Sequence, residues 1–205
     1  MALSVRDKAA PWTAAALCLL PLAYLIYRAF SGDLGANPIE EITRELGVWG
    51  LRFIIAGLAI TPAARLLRQP KLIRLRRPIG LMAFAYVLLH LSSYIGLDQF
   101  FDWNAIVKDI LKRPYITFGM LAFVLLIPLA ITSTNAMIRR VGPRAWRRIH
   151  QAVYLIGALG VLHYFLLVKA DHRPPLIYGA ILAALLGYRI YAWAKPRFAR
   201  PQTAR

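Results

Sequence analysis

The stretch that decides the fold is Trp146-Arg-Arg-Ile-His-Gln-Ala-Val-Tyr-Leu-Ile-Gly-Ala-Leu-Gly-Val-Leu-His-Tyr164, an apolar segment with two histidines. His150 and His163 are thirteen residues apart. Thirteen residues cover about 20 Å along a helix axis, which is most of the ~30 Å hydrocarbon core of a bilayer. A histidine inside a membrane is costly and usually functional. The stretch therefore predicts a membrane-spanning helix with two ligand positions, one near each membrane face.

The composition of the chain is that of an integral membrane protein. Hydrophobic residues make up 59% of its 205 residues, against about 45–50% in soluble domains. Several apolar runs approach the ~20 residues that a helix needs to cross a bilayer. The sequence therefore predicts an all-α, polytopic membrane protein: a six-transmembrane-helix bundle forming a single domain over residues 1–205. The predicted spans are residues 11–30, 47–66, 78–97, 114–133, 148–168 and 176–194.

Charge divides the loops into two classes. The net charge is +17, and lysines and arginines concentrate in the N-terminus, residues 68–77, residues 134–147 and the C-terminal tail. Every acidic residue except Asp7 lies in one of the other three loops. The positive-inside rule therefore predicts that both termini are cytoplasmic. Because this pattern accounts for the basic excess, and no basic stretch is interleaved with stacking aromatic residues, we expect no nucleic-acid partner.

Several cofactors and reaction types are excluded by what the sequence lacks. Its single cysteine, Cys18, lies in an apolar run, and no Cys-x-x-Cys-His motif is present. A covalently attached c-type haem and an iron–sulfur cluster are therefore excluded. The sequence also has no Ser/His/Asp set and no glycine-rich nucleotide-binding loop. We therefore expect electron transfer across the membrane, in a subunit with no substrate-reducing site of its own.

Two histidines on different spans are matched in depth. The third and fifth predicted spans both enter from the cytoplasm, and His90 and His163 lie about twelve and fifteen residues into them. Both histidines therefore lie ~18–22 Å from the cytoplasmic edge, in the outer half of the membrane. Two neutral imidazoles that face each other across a gap between helices suit axial ligation of a haem iron.

The second pair of ligand positions, near the cytoplasmic edge, fits the helical spacing less well and has only one histidine. His150 lies there, and the position fourteen residues before His90 is Arg76. Fourteen residues are close to four helical turns, so residues 76 and 90 share a face. Thirteen residues fit less well, so the fifth span needs a tilt, kink or bulge, which Gly157 and Gly160 would permit. Arg76 has three interpretations: an iron ligand, a propionate partner or a positive-inside charge.

Two arginines have more than one interpretation, whereas the fourth histidine has one. Arg52 and Arg189 lie inside spans, where an arginine pairs with haem propionates, pairs with an anionic headgroup, or snorkels to the surface. His172 precedes Pro174-Pro175 in an outer loop, and we expect it to be solvated. A histidine in a span can also serve as a helix–helix hydrogen-bonding residue, but the matched depth of His90 and His163 favours ligation.

Five stretches of the chain together carry a family resemblance. They are Gly35-Ala-Asn-Pro-Ile-Glu40, Arg76-Arg-Pro-Ile-Gly-Leu-Met-Ala-Phe-Ala-Tyr86 with His90, Lys112-Arg-Pro-Tyr-Ile-Thr-Phe-Gly119, Pro128-Leu-Ala-Ile-Thr-Ser133, and Trp146-Arg-Arg-Ile-His150 with His163-Tyr164. In these stretches the chain resembles the MsrQ (YedZ) family of haem-binding membrane subunits, within the ferric-reductase-like transmembrane superfamily. They cover five of the six predicted spans and most loops.

The resemblance implies a function as well as a fold. It implies heme b, one or two per chain, held by His90, His150 and His163, and it implies FMN as a further cofactor. Electrons would pass from the quinone pool or a reduced flavin across the bacterial inner membrane. The implied partner is a periplasmic, molybdopterin-containing methionine sulfoxide reductase catalytic subunit that repairs oxidised proteins. We expect this partner to dock on the outer loops, residues 31–46 and 98–113.

The sequence departs from the wider superfamily at one ligand position. Superfamily members usually have four histidines, two on each of two helices, whereas Arg76 stands at the fourth position here. Three arrangements of the inner haem follow: Arg76 as sixth ligand, a five-coordinate haem, or no inner haem. Two alternative functions also stay open, namely a stand-alone transmembrane ferric reductase and a haem-free membrane anchor for a partner.

Overall fold

The fold is a bundle of membrane-spanning helices. The computed structural model describes residues 5–198, and the side chains of residues 10–194. Within that range the chain forms no strand, and six helical segments are long and apolar enough to cross a membrane. The prediction of an all-α, six-helix polytopic membrane protein is therefore confirmed. The six segments are Ala10–Phe30, Pro38–Leu66, Pro70–Asp98, Pro114–Ile131, Pro143–Leu167 and Arg173–Ala194.

The spans and their connections contain nine α-helices within residues 5–198. These are α1 (Val5–Cys18), α2 (Leu20–Phe30), α3 (Pro38–Leu66), α4 (Arg76–Ser93), α5 (Trp103–Lys112), α6 (Pro114–Ile131), α7 (Asn135–Val141), α8 (Pro143–Leu167) and α9 (Arg173–Phe198). A 3₁₀ turn over Pro70–Leu75 precedes α4, and a π-helical turn over Tyr94–Asp98 extends it. We call the end of the bundle at residues 68–77 and 134–147 the basic end, and the end at residues 31–46 and 98–113 the acidic end.

The second span begins nine residues earlier than the sequence predicted, at Pro38 instead of residue 47. Asn37 caps the helix, because its side-chain oxygen accepts a hydrogen bond from the amide of Glu40 at 3.4 Å. The fixed backbone angle of Pro38 suits the first turn of a helix. Residues 38–46, which were predicted to be a polar loop, are therefore the first turns of α3.

Ion pairs explain why these charged residues join a span instead of forming a loop. The Glu41 carboxylate bonds with the guanidinium groups of both Arg28 and Arg44. Arg28 comes from the end of α2, so the pair also closes the short connection between the first two spans. Paired charges and a capped first turn stabilise the helix where the apolar pattern gives no signal.

Other boundaries also differ from the sequence prediction. The fifth span begins at Pro143 instead of residue 148. The predicted loop over residues 98–113 contains the ten-residue helix α5, and the predicted loop over residues 134–147 contains α7. Both short helices have side-chain caps: Asp102 accepts from the amide of Ala105, and Thr134 accepts from the amide of Met137. Side-chain capping therefore determines where these two short helices begin. A prediction of spans from apolar length does not take capping into account.

The first span is interrupted at Leu19, two residues before Pro21. The hydroxyl of Tyr86 fills the break: it accepts from the amide of Leu22 at 2.9 Å and donates to the carbonyl of Cys18 at 2.8 Å. An uninterrupted α-helix would join this amide and carbonyl directly. The side chain of Tyr86 is only 1% exposed, so α4 supplies the polar partners that a broken helix needs inside a membrane.

Small residues let the later helices pack closely. A β-carbon at Gly157 of α8 would lie 3.3 Å from a methyl group of Leu182 in α9, and one at Gly160 would lie 3.3 Å from Leu51 in α3. These two glycines therefore bring α8 against its neighbours. Helix α8 is one uninterrupted α-helix from Pro143 to Leu167, so the bulge considered for residues 150–163 is not present.

Candidate metal centre

The structure brings His90 of α4 and His163 of α8 together near the acidic end. Their imidazole rings are neighbours, with centroids 6.0 Å apart and planes nearly perpendicular, inclined by 79°. Two iron–nitrogen bonds of about 2 Å, with half an imidazole ring on each side, give a centroid separation of about 6 Å. The rings therefore have the spacing that two axial ligands of one iron require.

Hydrogen bonds fix the orientation of both imidazoles. The Nδ1 atom of His90 lies 2.7 Å from the carbonyl oxygen of Thr43 in α3. The Nδ1 atom of His163 lies 2.6 Å from the carbonyl oxygen of Tyr115 in α6. A carbonyl only accepts, so each Nδ1 carries the proton and donates, and each Nε2 keeps its lone pair. Metal-binding histidines are usually held by such a bond from the ring nitrogen that does not bind the metal.

Each imidazole ring also packs against a glycine of the neighbouring helix. A β-carbon at Gly47 would fall 2.9 Å from Nδ1 of His90, and a β-carbon at Gly119 would fall 2.8 Å from Nδ1 of His163. Both distances are shorter than normal carbon–nitrogen packing allows. Only glycine therefore lets each imidazole lie in this position without displacement.

The two supports have the same construction. The accepting carbonyl lies four residues before the glycine in both cases: Thr43 before Gly47, and Tyr115 before Gly119. In an α-helix that carbonyl already accepts from the amide of the residue four positions later. A side chain at this later residue would lie beside the carbonyl oxygen. Because the residue is glycine, the carbonyl can accept a second hydrogen bond, from Nδ1 of the histidine. Helices α3 and α6 thus hold the two histidines in equivalent ways.

The donor set fits a haem better than a bare metal ion. Among the residues whose side chains are described, no three His, Cys, Asp or Glu side chains are grouped as metal ligands. Two opposed imidazoles complete the coordination of an iron whose other four ligands come from a porphyrin. The residues present therefore fit a b-type haem between α4 and α8.

His150 lies at the other end of α8 and has different surroundings. Its ring stacks on the indole of Trp146, with centroids 4.0 Å apart and planes inclined by 28°, and its Nδ1 lies 3.1 Å from the carbonyl of Trp146. The Trp146 indole donates to the carbonyl of Thr132 at 3.0 Å. Because a regular helix rotates by about 100° per residue, the side chains of His150 and His163 point in directions about 140° apart. The two histidines therefore do not share a face of α8.

Arg76, the proposed counterpart of His150, is the first residue of α4 at the basic end. Its side chain is exposed, and its charge interacts electrostatically with His150 and with Arg189 of α9. The structure thus places Arg76, His150 and Arg189 in one neighbourhood of the bundle, far along the helices from His90 and His163.

Arg189 is the more enclosed of these two arginines. Its Nη1 donates to the hydroxyl of Tyr154 at 3.1 Å and its Nη2 to the carbonyl of Leu58 at 2.9 Å. Its Nε is buried and has no hydrogen-bond partner among the described residues, and the same holds for the hydroxyl of Thr61, one turn beyond Leu58. A buried polar group without a partner is costly, so this part of the bundle has spare donors for an anion or a carbonyl.

Arg52 and His172 lie apart from both histidine positions. Arg52 donates from Nε to the hydroxyl of Tyr178 at 2.8 Å and stacks 4.5 Å from the centroid of Trp49. This contact joins α3 to α9, on a side of α3 about 140° away from Gly47. His172, which was expected to be solvated, packs one side of its ring against Phe165, with ring centroids 4.9 Å apart, and is half-buried.

Comparison with known proteins identifies the family. The model of the ferric reductase like transmembrane component matches residues 12–161. A protein of Caulobacter vibrioides named protein-methionine-sulfoxide reductase heme-binding subunit MsrQ is 63% identical over 85% of this chain and 83% of its own length. A protein of the same name from Rhodospirillum rubrum is 55% identical over 90% of this chain and 89% of its own length. Another, from Herminiimonas arsenicoxydans, is 51% identical over 86% of this chain and 83% of its own length. The chain belongs to the MsrQ family.

In this MsrQ family member, sequence reasoning missed four residues of the site. Thr43 and Tyr115 contribute only backbone carbonyls, which leave no signal in the side-chain pattern. Gly47 and Gly119 do leave one, since each is a glycine inside a helix, where glycine costs about 1 kcal/mol relative to alanine. A glycine placed at that cost in a span marks a position where another group approaches the backbone.

Proposed function

We propose that the chain is the haem-binding membrane subunit of a methionine sulfoxide reductase system, and that it passes electrons across the bilayer. The observation that carries the proposal is the neighbouring pair His90 and His163, each held at Nδ1 by a carbonyl. The relatives named above, which match most of the chain, are called heme-binding subunits of protein-methionine-sulfoxide reductase. Haem, when bound, supplies reversible one-electron redox chemistry.

The residues at the acidic end bind the first heme b. His90 and His163 would hold the haem iron through Nε2, since Nδ1 of each ring donates to a carbonyl. The carbonyls of Thr43 and Tyr115 keep both rings in one tautomer and make each Nε2 a better donor. Gly47 and Gly119 let the rings pack directly against α3 and α6, so both imidazoles would be held in place before a haem binds.

The residues at the basic end suit a second, inner heme b. His150 would supply one ligand, while Arg76 would act as the opposite ligand or as a partner of the propionates. The spare donors of Arg189 and Thr61 suit a carboxylate or a phosphate. Arg52 is a weaker candidate, because Tyr178 and Trp49 already hold its guanidinium between α3 and α9.

The orientation of the bundle decides which end meets the electron donor and which end meets the acceptor. The basic end carries the loops that the positive-inside rule assigns to the cytoplasm, so the site of His90 and His163 lies near the periplasmic face of a bacterial inner membrane. The electron donor at the basic end is a quinol or a reduced flavin, with FMN as the flavin that the family implies. The acceptor at the acidic end is a molybdenum-containing methionine sulfoxide reductase.

A reconstitution experiment tests this function. The protein, purified with its haem and reduced without oxygen in nanodiscs, is mixed with its periplasmic reductase and a methionine sulfoxide substrate. We expect haem oxidation that requires both additions, with one methionine formed for every two electrons. Oxidation by ferric citrate alone, with none by the reductase and its substrate, would identify a stand-alone ferric reductase. A purified protein without haem would identify a membrane anchor.

A further inference from the structure

The helix α5, which joins the third and fourth spans, is fixed in rotation about its own axis. Ile106 faces the bundle and is 5% exposed. The carboxylate of Asp109 accepts from the hydroxyl of Tyr94 at 3.1 Å and pairs with Nε of Arg113 at 3.1 Å. These contacts hold one side of α5 against the bundle, so its other sides have defined directions.

One of the free sides is apolar. Trp103, Val107 and Leu111 follow one another at four-residue spacing, so they form a stripe along α5 that covers about 80° of the helix surface. Their side chains are 61%, 55% and 79% exposed. We call these three residues the α5 stripe. Its centre lies about 130° around the helix from the side that packs on the bundle.

The remaining side of α5 is polar. Asn104, Lys108 and Lys112 occupy it, and all three are exposed. The helix therefore has three sides at roughly equal angles: one packed on the bundle, one apolar and one polar with two lysines. A helix that lies in a membrane surface needs this division, because it contacts protein, hydrocarbon and water at once.

The connections of α5 keep it at the membrane surface. Only residues 99–102 separate it from the end of the third span, and only Arg113 separates it from the fourth span at Pro114. The apolar surface is also continuous with the span through Phe101, which is 62% exposed. Its ring centroid lies 6.5 Å from that of Trp103, and its ring edge lies 3.5 Å from the β-carbon position of Gly96 in the third span. Phe100 and Phe101 have backbone φ angles of 47° and 62°, in the left-handed region, so the chain makes a tight turn where two aromatic side chains remain outside the bundle.

We propose that α5 is an interfacial helix whose stripe lies in the lipid leaflet at the acidic end. Trp103 takes the position of a tryptophan in the aromatic belt, and Lys108 and Lys112 extend toward lipid headgroups and water. A protein partner is a poorer occupant, because the stripe runs on from the lipid-facing surface of the third span. Within residues 98–113, the partner of the proposed function would then meet only the polar side. The proposal holds whether or not the chain binds haem.

Site-directed spin labelling tests the proposal on the full chain. Cys18 is replaced with alanine, and single cysteines are introduced at Val107, Leu111, Lys108 and Lys112. Each variant is labelled in phosphatidylcholine nanodiscs, and its collision rates with oxygen and with a water-soluble nickel complex are measured. Val124→Cys in the fourth span, where Val124 is 55% exposed, is the lipid-facing reference. A monodisperse elution profile and an unchanged helical circular-dichroism spectrum check that each variant folds.

The ratio of oxygen to nickel accessibility decides the outcome. We expect it to be several-fold higher at positions 107 and 111 than at 108 and 112, and similar to that of position 124. Ratios at 107 and 111 as low as those at 108 and 112 would mean that the stripe faces water, and low accessibility to both reagents at 107 and 111 would mean that protein covers it. Either result overturns the proposal.

A measurement without introduced cysteines gives a second, independent test. Brominated phosphatidylcholine quenches the fluorescence of tryptophans that contact lipid. We expect Trp103→Phe to remove part of the lipid-quenched fluorescence of the parent protein. An unchanged lipid-quenched fraction would contradict the placement of Trp103 in the leaflet.

Discussion

Gly47 and His90 lie so close together that a β-carbon on Gly47 would fall 2.9 Å from Nδ1 of the imidazole. Gly119 has the same relationship to His163, with a distance of 2.8 Å. In both cases the ring donates to the carbonyl four residues before the glycine. The position of both imidazole rings therefore depends on two residues that have no side chain.

The first prediction concerns these glycines. We expect Gly47→Ala or Gly119→Ala to push the imidazole away from its carbonyl, because the new methyl group occupies the space of Nδ1. Haem content should fall, and the absorption spectrum of the remaining haem should change. The measurement is the haem-to-protein ratio and the optical spectrum of the purified variants.

Gly80→Ala is the matched control for that prediction. Gly80 lies in α4, the helix of His90, and nothing lies within 4 Å of the β-carbon position there. An alanine at Gly80 should leave the haem unchanged and stabilise the helix by up to about 1 kcal/mol. Equal haem content in all three variants would refute the role given to Gly47 and Gly119.

The second prediction concerns the break in the first span. Tyr86→Phe removes the hydroxyl that joins the Leu22 amide to the Cys18 carbonyl, and leaves both groups unpaired inside the bundle. We expect the variant to lose about 1–3 kcal/mol of stability, measured as a lower denaturation midpoint in detergent. Tyr27→Phe, at a side chain that is 67% exposed, is the control and should change little. Equal midpoints for both variants would show that the inserted hydroxyl contributes nothing.

The third prediction separates the two ends of the bundle. His150 stacks on Trp146 and does not share the helix face of His163, so His150→Ala should disturb only a basic-end haem. We expect one haem fewer per chain and a redox titration with a single step in place of two. Loss of all haem from the variant would show that the two sites are not independent.

The fourth prediction concerns the arginine next to that site. Arg189→Gln removes a positive charge, and a nearby cation favours the reduced form of a haem. The midpoint potential of the basic-end haem should therefore fall. Arg52→Gln removes the same charge from the α3–α9 contact and should leave that potential unchanged. Equal effects of the two substitutions would exclude a local role for Arg189.

The sequence predicted the spans and the main histidine pair because both depend on coarse distances. Apolar length sets how many helices cross the membrane, and counting residues from the basic end was enough to match His90 with His163. The start of α3 could not be found in that way. Its first turns are charged, and only the pairs of Glu41 with Arg28 and Arg44 in three dimensions make them compatible with a span.

Contacts that leave no mark in the side-chain pattern also could not be predicted from the sequence. The Thr43 and Tyr115 carbonyls, and the insertion of the Tyr86 hydroxyl into a broken helix, depend on which face of each span meets its neighbour. The spans are apolar on nearly every face, so their periodicity does not indicate the packed side. For the same reason the distances along α8 were predicted correctly, while the directions of His150 and His163 needed the structure.

The central claim is that His90 and His163 bind the same iron, and haem analysis of single variants tests it most directly. Pyridine haemochrome assays and low-temperature electron paramagnetic resonance are applied to the parent, His90→Ala, His163→Ala and the control His172→Ala. We expect both site variants to lose the same low-spin, bis-histidine signal and one haem per chain, while the control keeps both. Retention of that signal and of full haem content in either site variant would contradict the account.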